Sequence, residues 1–302
     1  MKEKFLKNFY IICILLASVC WGIVGLFTRK LESLGLNFIQ IASVRIISAV
    51  IIFIIYLFIK DRNGFKIKVR DIPLFIGTGI VSILFFTVCY FKTIQITTIS
   101  NAVILLYTAP IMVSIMAVIF LKEKYNIGKF VALIFSFIGC VLVIGIGDSQ
   151  KLNAIGILVG LGAGFGYALY SIFSVFALRK YSPMVVTTLS FVTAAIGSLF
   201  ICNPPEIISI VAKSNSPIKF TVLIFATGLI TAVIPFGLYT FGLKKVEASK
   251  ASIMCSLEPV VATVTSIIVF AEPFSATSIL GMVLVISAII ILNLYKGKKN
   301  DA

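Results

Sequence analysis

Long runs of hydrophobic residues, separated by short polar stretches, make up almost the whole chain of 302 residues. A membrane-spanning helix needs about 20 consecutive, mostly apolar residues. Runs of that kind occur at 9–27, 38–59, 72–91, 99–121, 128–147, 154–178, 184–202, 220–243, 251–271 and 276–295. The pattern therefore predicts an all-α integral membrane protein with ten transmembrane helices.

The composition also indicates a lipid environment. Hydrophobic residues make up 60% of the chain and charged residues 12%, with a mean hydropathy of +1.14, whereas a soluble protein is about 45–50% apolar and about 25% charged. In a soluble protein the net charge of +15 would suggest a nucleic-acid partner. Here the basic residues stand between apolar runs, so we expect no nucleic acid and a lipid bilayer as the surroundings.

The basic residues predict the orientation of the helices. If the N-terminus is cytosolic, the segments on the inner side hold nineteen Lys and Arg residues and those on the outer side six. Cytoplasmic loops carry such an excess, so we expect both termini in the cytosol and a multi-pass protein of the cell membrane. The start of the chain resembles a secretory signal, but Val19 before Cys20 is too bulky for cleavage. An uncleaved first helix is the expectation.

The two halves of the sequence resemble each other. An offset of 149 residues aligns them without a gap from Thr78 to Glu123. It matches Thr78 with Thr227, Gly79 with Gly228, Tyr90 with Tyr239, Ala102 with Ala251, Pro110 with Pro259, and Glu123 with Glu272. We predict two five-helix repeats, at 1–147 and 148–302. Because five is odd, the second repeat would be inverted in the membrane, as in many secondary transporters.

Four stretches carry a resemblance to a known family. They are "ASVCWGIVGLFTRKL" in the first span, "SVRIISAVII" in the second, "SNAVILLYTAPIMVSIMAVIFLKEK" in the fourth and "SKASIMCSLEPVVATVTSIIVFAEP" in the ninth. The chain resembles the ten-helix, EamA-type branch of the drug/metabolite transporter superfamily. The resemblance implies a ten-helix bundle of two inverted repeats around a central cavity, and export or exchange of amino acids, metabolites or other small solutes. The related four-helix multidrug exporters carry an acid in their first helix, and this chain has none there.

Glu258 is the one acidic residue well inside a predicted span. At 1.5 Å per residue it lies about 12 Å from the inner end of its helix. A charge at that depth costs several kcal/mol unless it faces a wet cavity or a partner. Pro259 breaks the helix beside it, and Pro110 would break the matching helix. We predict that Glu258 lines a cavity and binds a cationic or amino group, or a proton. The alternative is a structural acid satisfied by a nearby hydroxyl or freed amide.

Arg45 is the one basic residue within a span. Its depth differs from that of Glu258 by roughly 8 Å, so we expect no direct ion pair. Arg45 is expected to pair with carbonyl groups or to extend outward. Glu123 and Glu272 end the fourth and ninth spans, where we expect helix caps or hinge anchors.

Other polar or small residues in the spans complete the expected site. Rings with one polar tip suit a solute cavity, although ordinary packing with a local hydrogen bond is the alternative for each ring. The candidates are Trp21, Tyr107, Tyr167 and Tyr170, with Asn101 as a gate or cap. Glycines at 156, 160 and 164, and at 162 and 166, form two stripes for close helix contact.

Several kinds of chemistry are disfavoured. The sequence has no histidine, and its six cysteines form no C-x-x-C pair, so we expect no metal site and no cofactor. No nucleophile is paired with a base, which disfavours a membrane enzyme. A secondary transporter of small polar metabolites, with protons as a second candidate cargo, is the main hypothesis. A multidrug exporter of lipophilic cations is the main alternative, a non-transporting sensor or scaffold is a further one, and monomer and homodimer both stay open.

The predicted orientation can be tested by thiol accessibility. In a cysteine-free variant, a cysteine introduced in the loop 60–71 should resist a membrane-impermeant thiol reagent applied to intact cells, because that loop is predicted to be cytosolic. A cysteine in the loop 203–219 should react with it. The reverse pattern would contradict the orientation.

Overall fold

The computed structural model describes residues 2–60, 64, 67–145, 153–271 and 275–294, with side chains from Asn8 onward. Nine helices in this part are long and apolar enough to cross a membrane, and a bent pair makes a tenth if it counts as one span. We label them α1 (Asn8–Glu32), α2 (Phe38–Lys60), α3 (Val69–Ile96), α4 (Ile99–Leu121), α5 (Ile127–Ile144), α6 (Ala154–Leu178), α7 (Pro183–Leu199), α8 (Pro217–Leu243), α9 (Ala248–Phe270) and α10 (Ala276–Leu294). The prediction of an all-α membrane protein is confirmed.

Some helices end at other residues than the apolar runs predict. Helix α1 continues to Glu32 and α3 to Ile96, because a helix satisfies its own backbone and need not stop where the apolar run stops. Helix α7 ends earlier than predicted, at Leu199, and is followed by the short helix Pro204–Ala212 at an angle of 89°. The chain turns there because Asn203 has a left-handed φ of 49° and Pro204 cannot continue a preceding helix.

Short polar side chains fix where six of the helices begin. Each accepts a hydrogen bond from the backbone N–H three residues later, which satisfies one free donor of the first turn. They are Asn37 before α2, Thr98 before α4, Asn126 before α5, Asn153 before α6, Ser182 before α7 and Ser275 before α10. At the other end, α4 and α9 stop at left-handed residues, Lys122 and Ala271. These two residues are 149 positions apart, the offset that aligns the halves of the sequence.

Helices of the first half pack on helices of the second in matched pairs. Helix α1 packs on α8 and α9, and α6 packs on α3 and α4. Helix α2 packs on α7 and α8, and α7 also packs on α3. Helices α5 and α10 pack on each other. The chain boundary between two repeats stays a prediction, since residues 146–152 lie outside the described residues. The inverted orientation of the second repeat also stays a prediction.

Two glycines at matching positions of the two halves allow a close approach of helices. Gly79 lies in a π-helical segment of α3, Gly77–Leu84, and Gly228 directly precedes the π-helical segment Leu229–Val233 of α8. A Cβ atom at Gly79 would overlap the Ser190 carbonyl oxygen of α7, and one at Gly228 would lie 3.1 Å from the Ala49 nitrogen of α2. Small residues allow such contacts between membrane helices. They hold α3 against α7 and α8 against α2.

Buried serine and threonine hydroxyls bond mainly to their own helices. Ser190 Oγ lies 2.7 Å from the Val186 carbonyl of its own helix and 2.6 Å from Thr78 Oγ1 of α3. Ser48 Oγ lies 2.6 Å from the Val44 carbonyl of its own helix and 3.3 Å from the Ile224 carbonyl of α8. These hydroxyls have an acceptor in their own helix in addition to one in the neighbouring helix.

The outer surface of the bundle is apolar, as lipid contact requires. Large aliphatic side chains point away from the core along several helices, among them Ile59, Leu158, Ile268 and Leu294. Inside, a small apolar cluster holds the connection between α1 and α2 against the short helix Pro204–Ala212 and the start of α8. The end of α1 and the start of α8 therefore lie at the same face of the bundle.

The close contact at Gly79 predicts a loss of stability in Gly79→Ala. The added methyl group has to displace the backbone of α7, and overpacking of this kind costs about 1–3 kcal/mol. Gly237→Ala is the matched control, because a Cβ atom there meets nothing within 4 Å. Thermal unfolding of the purified proteins in detergent should show a lower midpoint for Gly79→Ala alone. Equal midpoints for the two variants would contradict the packing described here.

Candidate functional site

A cavity of about 380 Å³ lies inside the bundle, between α1, α2, α3, α4, α6, α8 and α9. Pockets for small molecules have volumes of about 300–1,000 Å³, so this one can hold a metabolite. The charged side chains in its lining are Arg29, Glu32, Arg45 and Glu258. Its aromatic side chains are Trp21, Phe38, Phe86, Tyr90, Phe91, Tyr167, Tyr170, Phe236 and Tyr239.

The structure brings most of the residues predicted for the cavity together. Trp21, Tyr167, Tyr170 and Glu258 line it. Tyr107 lies beside it, in an adjoining void of about 10 Å³ that Glu258, Tyr167 and Pro110 also line. Asn101 is buried near the start of α4 and is not among the lining residues; its backbone N–H donates to the Thr98 hydroxyl.

Glu258 owes its position to an interruption of α9. The helical segment Ala248–Met254 ends before Cys255, and a second segment, Leu257–Phe270, begins after Ser256. Glu258 and Pro259 stand in the first turn of the second segment, where proline is tolerated and a carboxylate is favoured by the helix dipole. Tyr107 lines the same small void as Glu258. Helix α4 is interrupted in the same way at Tyr107 and Thr108, just before Pro110.

Arg45 lines the same cavity from α2. Its Nε atom is buried and has no hydrogen-bond partner among the described residues. No ion pair within 4 Å joins Arg45 to Glu258 in that part of the chain. The guanidinium thus neither extends out of the bundle nor closes an ion pair, and the cavity contains a positive and a negative group that are separate.

Aromatic rings form a wall of the cavity. The Trp21 ring meets Phe236 edge to face, with centroids 5.1 Å apart, and lies 5.5 Å from the ring of Tyr239. Two tyrosine hydroxyls are bonded behind the wall, Tyr170 to Thr240 and Tyr239 to Ser171, each at 2.8 Å. Neighbouring hydroxyl groups therefore hold the polar tips of these two tyrosines in place.

Sequence reasoning missed several lining residues. Phe86 and Phe236 carry no polar group and cannot be told from packing residues by sequence. Tyr90 and Tyr239 did carry a signal, because the offset of 149 residues aligns them and both line the cavity. A tyrosine at matching positions of the two halves was a reason to predict both Tyr90 and Tyr239 as cavity-lining residues.

The cavity opens at one face of the bundle, which we call the mouth face. Its lining there includes Arg29 and Glu32 at the end of α1, Phe38 at the start of α2 and Ile99 at the start of α4. Arg29, Glu32 and Ile99 are exposed. The extension of α1 beyond its apolar run is what brings the two charged residues to the mouth.

The glycine stripes of α6 contact the two helices that form the other side of the cavity. A Cβ atom at Gly160 would lie 2.8 Å from Leu105 Cβ of α4, and one at Gly164 would lie 3.2 Å from the Leu105 carbonyl oxygen. The second stripe faces α3, where a Cβ atom at Gly166 would lie 3.0 Å from the Phe86 nitrogen. Gly166 itself lines the cavity, so the stripes bring the α6 backbone up to the site.

Glu123 lies away from the cavity, at the face opposite the mouth. Its carboxylate accepts hydrogen bonds from the start of α9. Glu272 lies outside the described residues. The same face carries a contact of Asp71, at the start of α3, with Lys180 and Tyr181, which follow α6. The hydrogen bond to the Asp71 carboxylate raises the pKa of the Tyr181 hydroxyl above its usual value.

The side chains of the cavity are suited to binding a solute. In the described part of the chain no three His, Cys, Asp or Glu side chains come together as a metal site would require. The side chains present can hold a solute by charge, by hydrogen bonds and by contact with aromatic rings.

A bundle of membrane-spanning helices around a charged cavity that opens at one face is the architecture of a solute carrier. The chain belongs to the EamA-like transporter family, whose model matches residues 8–145 and 154–294. Together these two matches cover most of the chain.

Individual proteins are similar over almost the full length. An "uncharacterized transporter" of Archaeoglobus fulgidus is 30% identical, over 93% of this chain and 97% of that protein. The "uncharacterized transporter YyaM" of Bacillus subtilis is 26% identical, over 85% of this chain and 86% of its own. A solved structure described as "crystal structure of protein" has the same fold, with a TM-score of 0.77 at 15% identity over 94% of this chain and 96% of that one.

Thiol labelling can test where the cavity opens. In a cysteine-free background, Thr87→Cys places a thiol in the cavity lining, so a small charged thiol reagent applied from the mouth face should modify it. Ser171→Cys is the control, since Ser171 is fully buried behind Tyr239. Mass spectrometry of the labelled proteins should show modification of the first variant only. Equal labelling of both would contradict a cavity that ends at the aromatic wall.

Proposed function

We propose that this chain is a secondary transporter, an exporter or exchanger, that carries small polar metabolites such as amino acids across the cytoplasmic membrane by alternating access. The observation that carries the proposal is the presence of Arg45 and Glu258 in one cavity without an ion pair between them. Two separate charges inside a membrane protein are costly unless a partner reaches them.

A solute with both a carboxylate and an amino group would supply both partners. Its carboxylate can take two parallel hydrogen bonds from the planar guanidinium of Arg45. Its ammonium group can donate to Glu258. The aromatic rings that line the same cavity, Trp21 and Tyr239 among them, suit an apolar side chain of the same solute. This arrangement favours zwitterionic metabolites over solutes with a single charge.

Alternating access is supported by the closure of one face. The cavity reaches the mouth face, while the face that carries Glu123 is closed by packed helices. With the predicted orientation, the mouth face is external. The matched contacts, α1 on α8 and α9, and α6 on α3 and α4, supply two halves that can rock against each other about a central site.

Export of lipophilic cations is the second candidate function. It is favoured by the aromatic lining, since ring faces attract cations, and by the carboxylate of Glu258. Arg45 opposes it, because a positive charge in the same cavity repels a cation. Uptake of labelled amino acids and of labelled lipophilic cations into proteoliposomes would separate the two functions.

Glu258→Gln tests the role assigned to the carboxylate. The variant keeps the shape of the side chain and removes its charge. A hydrogen bond to a charged group is worth about 1.5–3 kcal/mol, so solute exchange and pH-driven accumulation should both fall about tenfold or more if Glu258 binds the solute amine. If Glu258 carries a proton instead, pH-driven accumulation should be lost while solute exchange persists. Rates of labelled solute uptake into proteoliposomes measure both modes.

Glu206→Gln is the matched control. Glu206 lies in the short helix Pro204–Ala212, outside the cavity lining, and bonds to Asn203. This variant should keep both transport modes. A Glu258→Gln protein that is correctly inserted and fully active in both modes would show that the acid is structural, and the proposal for this residue would be wrong.

A further inference from the structure

The part of the protein between the cavity and the face opposite the mouth is filled by two half-helices. They are the second segment of α4, Ala109–Leu121, and the first segment of α9, Ala248–Met254. The two pack against each other, and the side chains of Val113, Ala117 and Ala251 are fully buried. A solute that leaves the cavity in this direction would have to pass where these two half-helices meet.

Each half-helix has one end at the floor of the cavity. Ala109 and Pro110 on one side, and Ser252 and Cys255 on the other, line the small void that Glu258 shares. Each half-helix is joined to the rest of its span through an interruption instead of a continuous helix. Such breaks supply hinges, because the residues in them can change φ and ψ without disrupting a whole helix.

A single carboxylate fastens the far ends of the two half-helices. Glu123 follows the end of α4, and its Oε1 atom accepts a hydrogen bond from the Ala248 N–H at 2.6 Å. Its Oε2 atom accepts from the Ser249 N–H at 3.3 Å and from the Ser249 hydroxyl. These N–H groups belong to the first turn of α9, where donors are unpaired and the helix dipole favours a negative charge.

Glu123 is set in position by the backbone and by a lysine. Left-handed Lys122 turns the chain out of α4, and the Glu123 N–H then bonds to the Ala117 carbonyl at 3.1 Å. Lys129 Nζ lies 3.7 Å from Glu123 and 2.9 Å from Glu247, the residue before α9. The side chains of Glu123 and Lys129 are only 9% and 7% exposed, while that of Glu247 is 50% exposed. The lysine therefore joins the acid of one half of the chain to an acid of the other half in a largely buried contact.

We propose that the paired half-helices form the gate of the cavity on this face, and that Glu123 is the latch that holds the gate shut through the first turn of α9. The inference rests on the proposed transport function, since a gate has a purpose only where a solute passes. When the half-helices part, the carboxylate releases Ala248 and Ser249, and the void beside Glu258 becomes continuous with this face.

The accessibility of Ser252 reports the state of the gate. Ser252 is fully buried in the closed half-helix and lines the void. In a cysteine-free background, Ser252→Cys should react slowly with an impermeant thiol reagent applied only to the face that carries Glu123, in sealed vesicles of the matching orientation. Adding Glu123→Gln should speed labelling about tenfold, the shift expected when hydrogen bonds to a charged group are weakened.

Two further variants keep the test decisive. Ser249→Ala removes only the hydroxyl donor and should raise the labelling rate by a smaller factor than Glu123→Gln, so it carries the test if Glu123→Gln fails to insert. Glu206→Gln, an acid on the mouth side of the bundle, should leave the labelling rate unchanged. Identical rates for the parent, Ser249→Ala and Glu123→Gln would overturn the latch.

The labelling assay does not depend on the identity of the solute. Faster labelling in the latch variants of a protein that carries no solute in proteoliposomes would support the gate and contradict the proposed transport. Unchanged labelling in a protein that does transport would contradict the latch and leave the proposed function standing.

Discussion

The rule that no backbone polar group can stay unpaired in lipid governs this structure. Helices α4 and α9 nonetheless break near their middles, at Tyr107–Thr108 and at Cys255–Ser256. Such breaks are tolerated where they are buried in protein or line a cavity, and both breaks lie at the floor of the cavity beside Glu258. The surrounding packing follows from this, since close glycine contacts of α6 and α1 keep lipid away from the breaks. At Gly22 of α1, for example, a Cβ atom would lie 2.9 Å from the Glu258 carbonyl oxygen.

Much of the fold was predictable because lipid imposes strong and simple requirements on sequence. Apolar runs revealed the spans, and the cost of a buried charge singled out Glu258, which lines the cavity with Trp21, Tyr167 and Tyr170. The position of Arg45 was harder to predict. Depth along a helix gives one coordinate, and the side of the helix that faces the cavity is decided by packing with residues far away in sequence. The bonds of Glu123 to the start of α9 were beyond prediction for the same reason, since 125 residues separate Glu123 from Ala248.

Local chemistry recurs in the two halves wherever the backbone departs from a regular helix. The helical segments of α4 and α9 both end in a left-handed residue, at Lys122 and Ala271, although neither is a glycine. A left-handed non-glycine residue is uncommon, so its occurrence at matching positions points to a shared geometric need. The turn at Lys122 directs Glu123 towards α9, which shows what that need is in the first half.

The hydroxyl bonds inside the bundle have a consequence for motion. Ser48 Oγ lies within reach of carbonyls on its own helix and on α8, and Ser190 bonds both its own helix and Thr78. When neighbouring helices slide, such a hydroxyl can keep its intrahelical acceptor while it gives up the other. No donor is then stranded in a medium without water, and the barrier to sliding stays low. Serine and threonine hydroxyls thus let the helices slide past each other as well as holding them together.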